Sequence, residues 1–275
     1  MTAVEGPTGS GDSPTPSKST GPLVLLAGPG DSSDIVANYL VRRFPDLVVV
    51  MEEAQSRSSL ARRRAKRLGW VTVVGQTLFV VLALPFLRRR GRSRRTAILN
   101  EAGLDAAPHP PTRRVTSVNA DETVAILQAL HPSVVVVNGT RIIARSVLRS
   151  VDCPFINIHA GITPQYRGVH GGYWALAEGH PELVGTTVHL VDPGIDTGTV
   201  LARDYFEVSR RDSIATYPYL HLVAALPSLE AEIDRVRRGL PPEPADDMSA
   251  ESRSRLFTHP TLWGYLWLRL KRQVQ

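Results

Sequence analysis

Three of the apolar runs in this chain have the length of strands: Leu23-Val24-Leu25-Leu26-Ala27, Leu47-Val48-Val49-Val50 and Val134-Val135-Val136-Val137. A strand with one face in water alternates apolar and polar side chains. A run without alternation, rich in β-branched residues, fits a strand covered on both faces, as in a parallel sheet with helices above and below. The intervals suit that arrangement. Gly28-Pro29-Gly30 turns the first run into a polar, helix-capable segment from Ser32 to Phe44. Further on, a strand near Arg114 to Val118 precedes a helix from Asp121 to Leu130, with Asn119 or Asp121 placed to cap it. A short helix from Ile143 to Arg149 then leads to Phe155-Ile156-Asn157-Ile158. The pattern predicts an α/β fold with a doubly wound (Rossmann-like), mostly parallel sheet, and ligand at the carboxyl ends of its strands.

The 275 residues suffice for one large domain or two small ones, and 43% apolar against 21% charged residues supports a packed core. Residues 1–21 are Thr, Ser, Gly and Pro almost without apolar side chains, so they are expected as a disordered tail with no export signal. Residues 22–209 are expected as the α/β domain, with a basic and apolar helical insert at 53–111, and 210–275 as a C-terminal helical extension. The single cysteine, Cys153, excludes an internal disulfide and any multi-cysteine metal site, and agrees with a reducing, cytoplasmic setting. His109, His131, His180, His221 and His259 have no metal-ligand spacing, so no metal is expected. The Gly28-Pro29-Gly30-Asp31 turn lacks the third glycine of a dinucleotide fingerprint, and Asp31 stands where a phosphate would need positive potential.

The net charge of +6 is concentrated rather than spread. From Ala54 to Asn100 there is no Asp or Glu but there are twelve Arg and Lys residues; setting those aside leaves 20 basic residues against 26 acidic ones. That distribution argues against a DNA-binding surface, which would extend over several elements. Between the two arginine clusters, Leu68 to Leu87 is free of charge for 20 residues. The length just reaches that of a span, but Gly75, Gln76 and Thr77 interrupt it and Pro85 lies near its end. Two readings stay open: a helix or hairpin lying in the interface of an anionic membrane through residues 57–95, on the inner face of the cell membrane, or an inserted helix packed on the domain.

The chemistry-bearing region runs from Phe155 to Gly198. By the two-residue strand period, Asn157 and His159 project from the same side of one strand. A second strand, Gly185 to Val191, ends in the turn-rich loop Asp192-Pro193-Gly194-Ile195-Asp196-Thr197-Gly198. An amide, an imidazole and a carboxylate thus converge on one edge. Acyl transfer to an amine needs such a set: a donor aimed at the oxyanion, and a group that manages the proton lost by the attacking ammonium. Asp192 is expected to bond its own turn, and His189, inside the strand, is expected to be structural.

The motifs Asn157-Ile158-His159, Tyr166-Arg167-Gly168, Gly185-Thr186-Thr187-Val188-His189 and Gly194-Ile195-Asp196-Thr197-Gly198 resemble those of the folate-dependent formyltransferases. That family includes methionyl-tRNA, glycinamide ribonucleotide and sugar-nucleotide N-formyltransferases. The resemblance covers roughly Leu23 to Arg203. It implies catalytic roles for Asn157, His159 and Asp196, and a 10-formyltetrahydrofolate donor held by Thr140, Arg141, Ile142 and Ile143 together with Val191, Asp192 and Gly194. It implies an acceptor site near Tyr166, Arg167, Gly168 and His170. The residues after Ser209 read as helical or Pro-rich, where tRNA-modifying members carry a β-barrel, and Asp31 spoils a phosphate loop. The expected partner is therefore a small-molecule amine, foremost an amino sugar, lipid-linked or polymer-bound. The alternatives are a glycinamide ribonucleotide or tRNA acceptor, hydrolysis of the donor, or a non-catalytic membrane-surface protein.

Overall fold

The structure is a computed structural model that describes residues 20–55, 68–245 and 254–272. The expected tail lies outside these except for Thr20 and Gly21, and so do Arg57, Arg62, Arg63, Arg64, Lys66 and Arg67 of the first arginine cluster.

The apolar runs become β1 (Leu23–Ala27), β2 (Val48–Glu52) and β4 (Val134–Asn138); β3 (Arg113–Val115) and β5 (Phe155–His159) join them. These five pair in parallel. Beyond them come β6 (Tyr166–Gly168), β7 (Gly185–Leu190), β8 (Val200–Tyr205) and β9 (Arg255–Phe257). The main sheet has seven strands in the order β3-β2-β1-β4-β5-β7-β8, with β7 and β8 antiparallel at one edge. Strands β6 and β9 pair separately, in parallel.

Alternate residues of one strand enter different cores, which is how an all-apolar run is used. Leu23, Leu25, Val134 and Val136 pack with Ile35, Val36 and Leu40 of α1 (Asp31–Val41) and with Leu222, Leu226 and Leu229 of α7 (Tyr217–Arg237). Val24, Leu26, Val135 and Val137 pack with Leu127 of α4 (Asp121–Leu130) and Val147 of α5 (Arg145–Leu148). The doubly wound expectation holds. From the segment expected as a helical extension, α7 supplies half of one covering layer.

Local boundaries differ from expectation where a tertiary bond outcompetes a local one. Neither Asn119 nor Asp121 caps α4, whose N-cap is Ala120. The Asn119 amide is spent across the fold, donating from Nδ2 to the Ile142 carbonyl at 2.8 Å and accepting the Ala144 N–H at 2.7 Å. Residues 139–144 consequently form a loop, and α5 starts later than the pattern predicts.

The charge-free segment is one helix rather than a hairpin, α2 (Trp70–Arg90). Its turns at Phe79–Ala83 widen to a π-helix just ahead of Pro85, which has no N–H to donate to the preceding turn. A turn at Gly91 leads into α3 (Arg92–Glu101). Phe79, Leu84 and Leu87 form a third core with Tyr173 and Ala177 of α6 (Gly171–Glu178), with Ile214, and with Tyr265 of α8 (Leu262–Arg272).

Candidate active site

Asn157 and His159 stand two residues apart on β5, so both project to one side. Antiparallel pairing sets His189 of β7 directly opposite Asn157, and Thr187 opposite His159. The carboxyl end of β7 therefore lies beside the start of β5, not at the edge where His159 emerges. Asp196 reaches the site because the 191–199 connection doubles back, closed by a bond from Leu190 N–H to the Thr199 carbonyl. Asp196 itself adopts φ +51, a left-handed conformation that Asp tolerates better than most residues.

The hydrogen bonds fix most of the proton positions. His159 Nε2 lies 2.7 Å from the Tyr166 carbonyl, which can only accept, so Nε2 carries a proton. Its Nδ1 faces Asp196 Oδ2 at 3.4 Å. His189 Nδ1 lies 2.8 Å from the Leu190 carbonyl and is likewise the donor. Burial pushes the His189 pKa down, so its Nε2 keeps a lone pair, which accepts from the Asn157 amide at 3.1 Å. The Asn157 amide is thus oriented with its nitrogen toward His189. Asp196 Oδ1 sits 3.8 Å from the same His189 nitrogen. A carboxylate lies between two imidazoles, with an oriented amide beside them.

Tyr166, Arg167 and Gly168 hold this arrangement from behind. Tyr166 contributes its carbonyl to His159, while its buried ring stacks on Phe257 and its hydroxyl pKa is pushed up to about 12, chiefly by burial. Arg167 donates to the Ile195 carbonyl at 3.2 Å, and the Gly168 N–H donates to Asp196 Oδ2 at 2.9 Å. Gly168 has φ +95, and a Cβ there would lie 2.2 Å from the Phe257 carbonyl oxygen, so only glycine fits. His170 turns to His259, Nε2 to Nδ1 at 2.9 Å, and burial lowers its pKa to about 3.

The segment 140–143 lies at the end of β4. Thr140 Oγ1 bonds the Arg141 carbonyl at 2.9 Å. Arg141 gives its backbone N–H to buried Glu52 at 2.8 Å and pairs its guanidinium with the same carboxylate at 2.5 Å. Ile143 and Val191 pack on the same core, and Ile142, next to Ile143, is exposed. Asp192 Oδ1 accepts from the Gly194 N–H at 2.9 Å and from Thr197 at 2.7 Å, shaping its own turn as expected. Asp31 is engaged by Arg95 at 2.9 Å and by the Tyr219 hydroxyl at 3.1 Å.

A formyl transferase family model matches residues 79–219, half of the chain, and that span contains Asn157, His159, His189 and Asp196. The chain belongs to the formyl transferase family. A methionyl-tRNA formyltransferase of Thermodesulfovibrio yellowstonii is 25% identical over 168 residues, covering 60% of this chain and 54% of that protein. The chain thus spans about half the length of the curated relatives it matches. Among solved structures, a phosphoribosylglycinamide formyltransferase from Anaplasma phagocytophilum superposes with a TM-score of 0.52 at 16% identity, covering 86% of this chain and 98% of that one. An N-formyltransferase from Helicobacter canadensis, solved with folinic acid and dTDP-3-aminofucose, gives 0.50 at 14% identity, covering 85% and 70%. These structural likenesses establish a shared fold. His189, expected to be structural, lies beside Asn157 and Asp196 as well, a placement that follows from the antiparallel register of β7 on β5. Among the described residues no group of three or more His, Cys, Asp or Glu is arranged to hold a metal ion.

Proposed function

We propose that this protein transfers a formyl group from 10-formyltetrahydrofolate to the primary amine of an amino sugar. The observation that carries the reading is Asp196 between His159 and His189, with the Asn157 amide oriented by His189. An incoming amine reaches the formyl carbon as an ammonium that must first lose a proton. Asp196, positioned by the Gly168 N–H, is the local base, and His159 Nδ1 faces it to receive or return that proton. The carbonyl oxygen gains negative charge as the amine adds, and the free N–H of the Asn157 amide is the donor available to it. His159, with Nε2 tied to Tyr166, adds a positive field when Nδ1 is also protonated.

The donor's fit rests on the two loops that share a core. Exposed Ile142 offers an apolar surface suited to a flat heterocycle, flanked in the chain by Thr140, Arg141 and Ile143, and Val191, Asp192 and Gly194 of the second loop are the further backbone proposed to hold the donor. The chemistry the folate would supply is an activated formyl group on a good leaving nitrogen.

An amino sugar is favoured over a phosphate-bearing glycinamide because Asp31 occupies the β1–α1 turn and already pairs with Arg95. The Helicobacter structure, solved with folinic acid and dTDP-3-aminofucose, offers the same pairing of donor and acceptor chemistry in a shared fold. The test is incubation with 10-formyltetrahydrofolate and a panel of amino sugars, glycinamide ribonucleotide and aminoacylated tRNA, read as a formyl mass gain. Gain on an amino sugar alone supports the reading. Gain only on the ribonucleotide or the tRNA moves the acceptor, and release of formate without any gain makes the protein a hydrolase.

A further inference from the structure

One surface of the molecule has no use in the site described above. Helix α2 buries Val73, Gln76, Phe79, Leu84 and Leu87 against the domain and turns a second apolar stripe outward: Trp70, Val71, Val74, Leu78, Val81 and Phe86. Val71 is 76% exposed and Phe86 62%. Helix α8 lies alongside. Tyr265 packs on Phe79 with ring centroids 5.2 Å apart, and the helices approach so closely that a Cβ on Gly75 would lie 2.3 Å from the Trp263 indole. On its outer side α8 presents Trp263, Leu266, Trp267 and Leu270 at i, i+3, i+4, i+7 spacing, with Leu270 84% exposed. Two packed helices thus share one uncovered apolar face containing three tryptophans.

The charge around that face is predominantly positive. Arg88, Arg89 and Arg90 end α2 in solvent. Beside them lies a cleft of about 490 Å³ lined by Arg90, Arg94, Arg210, Arg211 and Arg269, with Glu101 as its acidic member. Arg94 is held by Asp212 at 2.7 Å, and Arg269 donates to the Tyr265 hydroxyl at 3.3 Å; Arg90, Arg210 and Arg211 line the same cleft. We propose that the α2–α8 face and the arginine-lined cleft at its end form a docking surface for an anionic phospholipid bilayer, with headgroup phosphates taken by the arginines and the helices lying in the membrane plane.

Three observations favour this occupant. Tryptophan and arginine beside exposed aliphatic residues match the headgroup boundary of a bilayer. A second copy of the chain would bring like charges together, because Ala54 to Asn100 holds no acidic residue. A transmembrane orientation of α2 would strip the third core, since a third of its most apolar window is buried on the domain and Gln76 donates to Thr258 at 2.9 Å and to the His259 carbonyl at 2.8 Å. Those two residues follow β9, which pairs with β6, whose Gly168 holds Asp196. The docking face and the catalytic loop are therefore two bonded strands apart. Resting on the formyl-transfer reading, this proximity suits an amine acceptor carried on a lipid or on a glycan growing at the membrane.

The test is co-sedimentation of the full chain with phosphatidylcholine vesicles, with and without phosphatidylglycerol, at low and high salt. The expected result is pelleting with the anionic vesicles at low salt, release at high salt, and a blue shift of tryptophan emission on binding. Arg88→Gln, Arg89→Gln and Arg90→Gln together are expected to weaken binding about a hundredfold. Val71→Asp with Leu270→Asp is expected to weaken it tenfold or more. All five positions are exposed, so the melting temperature checks that the fold is kept. Recovery in the supernatant throughout, or equal pelleting on neutral lipid, overturns the proposal. So does a pellet that resists alkaline carbonate, which is the behaviour of a span, or a dimer in solution that Val71→Asp dissociates. Docking is read without any formyl transfer, so it can fail while the catalytic reading stands, and the reverse.

Discussion

Asp196 is held at φ +51, a conformation that costs a non-glycine residue about 1–3 kcal/mol, while its carboxylate accepts one backbone N–H and faces two imidazoles. Strain of that kind persists only where the surroundings over-determine it. Here they do so through Gly168 and the 191–199 turn. Asp196→Asn tolerates the same backbone and removes the charge, so it is expected to lower formyl transfer by about 10²–10⁴-fold with the melting temperature nearly unchanged. His189 acts one step back, by accepting from the Asn157 amide. His189→Phe frees that amide and is expected to lower kcat by about ten- to a hundredfold with KM little affected, whereas His189→Gln, whose side-chain oxygen can accept the same bond, recovers part of the loss. Equal KM and kcat losses in both variants would make His189 a packing residue. That Asn157 and His159 share one side of a strand was legible in the sequence, because strand period is local. The position of His189 opposite Asn157 and the doubling back of the 191–199 connection that brings Asp196 to His159 were not, because both depend on the antiparallel direction and register of β7 against β5.

The elements that hold the site are short. Strands β6 and β9 are three residues each, come from distant parts of the chain, and carry no periodicity that a sequence can display. Their pairing nevertheless fixes both ends of the proposed catalytic set: the Tyr166 carbonyl on His159 and the Gly168 N–H on Asp196. The acceptor role expected for Tyr166, Arg167 and Gly168 is accordingly joined by a positioning one. Gly168→Ala places a Cβ 2.2 Å from the Phe257 carbonyl oxygen at φ +95, so β6 must shift from β9. The expected outcome is a loss of about 1–3 kcal/mol in stability, by thermal or urea melts, together with slower single-turnover formyl transfer. Normal turnover in a destabilised Gly168→Ala would separate the strand pair from catalysis. By contrast, β1, β2, β4 and α4 were legible in outline, since continuous apolar runs and a helical period announce themselves within a few residues. The π-turns of α2 were not, because they answer to Pro85 and to the packing of Phe79 together.

At the scale of the whole molecule, three histidines whose pKa is lowered make stability depend on pH. Burial lowers the pKa of His170 and His221 to about 3 and lowers that of His189, whereas an unfolded histidine titrates near 6.5. Above pH ~6.5 neither state carries the proton and these groups contribute nothing to the pH dependence. Below it the unfolded chain binds protons that the folded one refuses, so stability falls as pH falls, with a limiting slope of roughly 1.4 kcal/mol per pH unit for each such histidine. Asp212 has the same sign but acts lower: burial alone would raise its pKa, yet the Arg94 and Ser209 bonds win and hold it below the usual carboxylate value. Burial raises the pKa of Asp204 and Glu232, which works the other way as those carboxyls protonate. The histidines and these two carboxyls therefore pull stability in opposite directions as pH falls. His221 is the one to remove, because it lies outside the proposed catalytic set, is 2% exposed, and meets the Phe206 ring edge-on at 4.9 Å. In His221→Phe the stability measured by urea unfolding is expected to fall less steeply from pH 6.5 to 5, by up to roughly 1.4 kcal/mol per pH unit relative to the unmodified chain. Parallel curves for the two proteins would mean that His221 takes up its proton in the folded state, and that the acid sensitivity of this fold resides in the carboxylates instead.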